Sequence, residues 1–141
     1  MKRAKPEDAG RVLSEHAGEL IDPEFAFPNF MRAVFREKGL RQQDVFLKAD
    51  ISEGYGYKLI SGEKRTRRRD TLLRIFFAAG FSLEEANRAL LLGGMPVLYP
   101  RFARDAVLTI AINSGIREPS AVDELLKAHG FEPLLPSRLP E

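Results

Sequence analysis

Apolar residues recur at three- and four-residue intervals along this chain, the repeat of one helix face, and no alternating run is long enough for a strand. In residues 1–28, Val12, Leu13, His16, Leu20 and Ile21 share a helical face bracketed by Pro6, Pro23 and Pro28, which predicts a short helix on an arm. After Pro28, Asn29 is placed to cap a helix carrying Phe30, Val34 and Phe35 on one side and stopping at Gly39. Gln42 to Ala49 predicts a short helix with Val45 and Ala49 one turn apart, and Asp50 and Ile51 form a turn. Ser52 then caps a second short helix by accepting a free backbone N–H, and Gly62 ends it in a left-handed conformation. Residues 63–69 are too polar for a core and predict an exposed loop. A helix beginning near Asp70 turns Leu72, Leu73, Ile75, Phe76 and Phe77 inward and closes at Gly80. Ser82 and Glu85 have capping-box spacing, opening a helix with the stripe Leu83, Ala86, Leu90 and Leu91 that ends at Gly93 and Gly94.

Beyond a Pro96 to Pro100 linker the pattern changes. Arg101 to Ser114 is helical, but Phe102, Val107, Leu108, Ile110, Ala111 and Ile112 leave little polar face, which predicts burial on more than one side. A final helix from Ser120 to His129 presents Val122, Leu125 and Leu126, followed by the apolar tail Phe131, Leu134 and Leu135. Two readings stay open for residues 96–135: they fold back and complete the core, or they form a homodimer interface.

Composition narrows the chemistry. The 141 residues are 44% hydrophobic and 30% charged, the profile of a globular domain rather than a disordered chain. No cysteine is present, so disulfides, thiolate metal sites and cysteine nucleophiles are excluded. With no signal-like apolar stretch at its start and no run near the ~20 residues that span a bilayer, the chain is expected in the cytoplasm and off the membrane. The sequence holds no G-x-S-x-G, P-loop or dinucleotide-binding turn, so neither an enzyme nor a cofactor is expected. His16 and His129 are far apart and lack companion ligands, so no metal site is expected. Net charge is only +2, yet Lys58, Lys64, Arg65, Arg67, Arg68, Arg69 and Arg74 gather within one stretch against Glu63 and Asp70.

Gln42, Val45, Ile51, Ser52, Leu59, Gly62, Lys64 and Arg65 stand, in order, where the Cro/C1-type (XRE) helix-turn-helix family has its signature positions. Over residues 29–94 the chain resembles that family. The resemblance implies an all-α fold: a five-helix lambda-repressor-like helix-turn-helix domain over residues 29–95, preceded by the arm 1–28 and followed by a two-helix extension, 96–141. Three positions depart from the family pattern: Phe46 replaces a usual Ala, Asp50 the usual turn Gly, and Gly56 a usual buried aliphatic. Asp tolerates the left-handed region, and the Phe46 ring is expected to fill the space that Gly56 leaves.

The resemblance further implies a transcriptional regulator, repressor-like, bound to double-stranded DNA as a dimer, with the helix 52–61 in the major groove. Gln42, Ser52, Glu53, Tyr57 and Lys58 would form its reading face, Lys58 donating to guanine and Glu53 accepting from cytosine N4. Lys64, Arg65, Arg67, Arg68 and Arg69 would hold phosphates. The alternative is an adaptor that uses the same altered surface for a protein partner.

Overall fold

The run Thr71 to Ala79 has no exposed side chain and forms the middle of the molecule. The computed structural model describes residues 4–19 and 22–135, and its regular elements there are all helical. Helix α1 (Ala9–Glu15) lies between two short 3-10 turns and buries no residue; Val12 is half-buried and Leu13 exposed. Leu20 and Ile21, expected on the same face, lie outside the described residues. Then follow α2 (Pro23–Glu37), α3 (Gln42–Ala49), α4 (Glu53–Ser61), α5 (Arg69–Ala79), α6 (Leu83–Leu92), α7 (Ala103–Asn113) and α8 (Pro119–Ala128). No helix among the described residues is long and apolar enough to cross a membrane.

Helix α2 begins earlier than the pattern predicted. Pro23 occupies its first turn, Pro28 lies inside it, and Asn29 is an exposed interior residue rather than a cap. The hydrogen bond that Pro28 cannot make would have reached the carbonyl of Glu24, an exposed residue of the first turn. Its ring is buried, and its Cγ stands 3.0 Å from where a side chain on Gly62 would begin.

The helices enclose one continuous core. Helix α5 packs against α3, α6 and α8, while α2 packs against α4 and α6. Met31, Phe46, Leu73, Phe76 and Leu90 share that core with Leu108, Val122, Leu126 and Leu134 from beyond the linker. Leu98, Leu108, Ala111, Ile112, Val122, Leu126 and Leu134, all from the stretch 96–135, are therefore part of this core.

Burial of α7 is one-sided. Leu108, Ala111 and Ile112 point inward, but Phe102 and Ile110 are 63% and 62% exposed, because α6 and α8 cover the helix from one side. Leu91 of α6, expected in the apolar stripe, is likewise exposed. The tail is held by polar contacts as well as packing: buried Asp123 accepts the backbone N–H of Leu134 at 2.6 Å and that of Leu135 at 3.4 Å.

The Ser82–Glu85 capping box forms as the spacing predicted. The Ser82 hydroxyl accepts from the Glu85 N–H at 3.1 Å, and the Glu85 carboxylate accepts from the Ser82 N–H at 2.8 Å. Lys38 from the end of α2 adds an ion pair at 2.9 Å. Burial pushes the Glu85 carboxyl up, but the Ser82 N–H and the Lys38 ammonium outweigh it and hold the group below its usual 4.5.

Candidate nucleic-acid interface

Helices α3 and α4 are joined by Asp50, Ile51 and Ser52. Asp50 adopts φ 57°, ψ 48°, the left-handed conformation expected of it, and the Ile51 N–H returns to the Phe46 carbonyl at 3.0 Å. The carbonyls at the end of α3 are met by Arg74, a buried side chain of α5. Its Nε donates to Ala49 at 3.1 Å and its Nη2 to Asp50 at 3.2 Å, placing a cation at the negative end of a helix.

The two departures at Phe46 and Gly56 are one feature. Phe46 is fully buried, and a Cβ on buried Gly56 would lie 2.6 to 2.7 Å from three atoms of its ring. The aromatic face therefore rests directly on the α4 backbone. Across the same ring, Tyr57 packs edge-on at 5.2 Å and 88°.

The outer face of α4 carries Glu53, Gly54 and Tyr57, all exposed, with Lys58 half-buried. The Tyr57 hydroxyl donates to Glu53 Oε1 at 3.4 Å, so the phenol and the acid are held together on the first turn. Ser52 occupies the cap position, but its hydroxyl accepts no capping bond, contrary to expectation; it is exposed at the helix start. Gln42 is the first residue of α3 and half-buried.

After α4 the chain folds back on its last turn, the Lys64 N–H reaching the Lys58 carbonyl at 3.0 Å. Lys58, Lys64, Arg65 and Arg67 make no ion pair among the described residues, and the last three are exposed. Thr66 interrupts the loop by being buried; its hydroxyl accepts the Arg68 N–H at 3.0 Å. Arg68 is half-buried at the cap of α5.

Arg69 corrects the reading of residues 63–69 as wholly outward-facing. It is the first residue of α5, and its guanidinium grips buried Asp105 of α7 through both nitrogens, at 2.5 and 3.2 Å. It also donates to the carbonyls of Pro96 and Val97 at 3.4 and 3.3 Å. Its neighbour Asp70 accepts both nitrogens of Arg104 at 3.0 and 2.8 Å. The dipeptides Arg69-Asp70 and Arg104-Asp105 thus pair reciprocally, a two-fold clasp between the starts of α5 and α7. That repeated dipeptide was the available signal, and hydrophobic periodicity does not register it.

The surface that remains joins the outer face of α4 to four cations, with Leu47 of α3 standing 82% exposed. No family model, curated protein or solved structure matches the chain.

Proposed function

We propose that the chain is a DNA-binding regulator of the helix-turn-helix type, with α4 entering the major groove and the loop after it resting on phosphates. The observation that carries this reading is the set of cations that make no ion pair among the described residues, Lys58, Lys64, Arg65 and Arg67, beside a helix that turns Glu53, Tyr57 and Lys58 outward. With Gly54 contributing no side chain and Glu53 tied to Tyr57, base readout falls mainly to Lys58 and Glu53, and backbone contacts dominate affinity. Arg69 is reassigned from phosphate contact to the clasp with Asp105. A dimer fits the exposed Val97, Tyr99, Phe102 and Ile110, which leave apolar area for a second copy to cover.

The test is binding to genomic and random DNA fragments at two salt concentrations, with Lys64→Ala/Arg65→Ala/Arg67→Ala beside the parent chain. Affinity should fall steeply with salt, and the triple variant should flatten that slope by about three counterions. Absence of binding at low salt would overturn the reading. Leu47 favours a second one: an apolar side chain so exposed on α3 suits an adaptor that docks a protein, and that contact would resist added salt.

A further inference from the structure

The first turn of α4 is weakly fixed by its own residues. Ser52 supplies no capping bond from its side chain, and Gly54 and Gly56 are poor helix formers. Leu59 and Ile60 anchor the far end of the helix in the core. Near its start, two features from other elements take over: the Phe46 ring beneath Gly56, and Arg74 at the turn from which α4 departs.

At that turn the Asp50 N–H returns to the Leu47 carbonyl at 3.2 Å and the Ile51 N–H to that of Phe46 at 3.0 Å, which closes α3. The carbonyls of Ala49 and Asp50 come next, and both accept from Arg74. They belong to the two peptide planes on either side of Asp50, and only the φ and ψ of that residue, 57° and 48°, set the angle between those planes. A guanidinium donates through a rigid planar fork, so its two bonds fix both planes where a single bond would leave a pivot. Arg74 is itself held: it is 8% exposed on α5, which packs on α3 and is clasped to α7 through Arg69 and Asp70. A continuous path of firm contacts runs from the C-terminal helices through α5 to the point where α4 begins.

We infer that Arg74 is a positioning residue: by holding the φ and ψ of Asp50 it sets the direction of α4, and with it the presentation of Glu53, Tyr57 and Lys58. That these side chains meet DNA rests on the function proposed above, whereas the direction of α4 belongs to the free chain and is read without DNA.

The experiment measures residual dipolar couplings of the backbone N–H groups in the full chain and in Arg74→Met, which keeps an apolar stem and removes both donors. Couplings in α2, α5 and α6 should keep their parent values, while those of α4 shrink and cease to fit the orientation that fits the rest. The same proteins are then bound to the genomic fragments that the parent retains best and to random fragments of equal length. Arg74→Met should lose about tenfold on the retained fragments. On random fragments it should keep the parent's affinity and salt slope, because Lys64, Arg65 and Arg67 are untouched. Arg74→Lys, the milder change should Arg74→Met fail to fold, keeps the charge without the fork and should show both losses to a smaller degree. Couplings in α4 that keep the parent orientation in a folded variant would overturn the inference, as would an equal loss on retained and random fragments. A parent chain that binds no DNA removes the proposed function, and the couplings alone then decide the role of Arg74.

Discussion

Gly56 and Phe46 occupy one volume between them, and that makes their substitutions interdependent. Phe46→Ala should cost about 3 kcal/mol in urea denaturation, since a fully buried ring is lost. Gly56→Ala alone should cost roughly 1–3 kcal/mol because its Cβ enters the ring. In the Phe46→Ala background the same change should become favourable by about 1 kcal/mol, as the helix exchanges glycine for alanine with the space now open. An unchanged sign would refute the pairing. Both departures were visible in the sequence, and so was the idea that they compensate; the contact distance supplies the reason. Asp50 makes a simpler case: Asp50→Gly should raise the melting temperature slightly and Asp50→Val lower it, because φ 57° suits glycine best and a β-branched residue least.

For whole helices, ends were more legible than faces. Glycines with positive φ follow α2, α4 and α5 at Gly39, Gly62 and Gly80, where the chain was expected to stop, and Gly115 and Gly130 follow the expected last residues Ser114 and His129. The start of α2 was misplaced because proline carries a fixed local penalty, whereas its burial against Gly62 depends on an element far along the chain. The basic stretch was misjudged for a related reason: its inward members Arg69 and Arg74 lie on a helix surrounded on all sides, and no local pattern announces that. The α6 capping box yields a pH prediction. Because the Glu85 carboxyl titrates lower in the folded protein, its contribution is fully present above the usual 4.5 and is lost as pH falls through the lower folded value. In thermal melts, the margin of the parent chain over Glu85→Gln should therefore be constant near neutrality and shrink below about pH 4.5. A margin independent of pH would show that the capping box does not depend on the charge.

Taken as a single body, the molecule joins its two ends through α5. Arg69→Ala should cost about 3 kcal/mol, since Asp105 is left buried without its cation. Chain 1–95 should show no cooperative melting, because Leu108, Val122, Leu126 and Leu134 leave the core with the deleted part. A sharp transition in that fragment would establish an autonomous helical domain instead. None of this was legible in periodicity: the apolar helix of the extension admitted both a core and a dimer reading, and the clasp to α5 is a polar contact that periodicity does not register. The shared core also has a consequence for synthesis. When α5 leaves the ribosome, the residues that will cover it from α7 and α8 have yet to emerge, and at roughly 5–20 residues per second that interval lasts seconds. Through that time Leu73, Phe76 and Phe77 lack part of their final shelter. The nascent chain thus carries exposed apolar surface until its own C-terminal helices arrive.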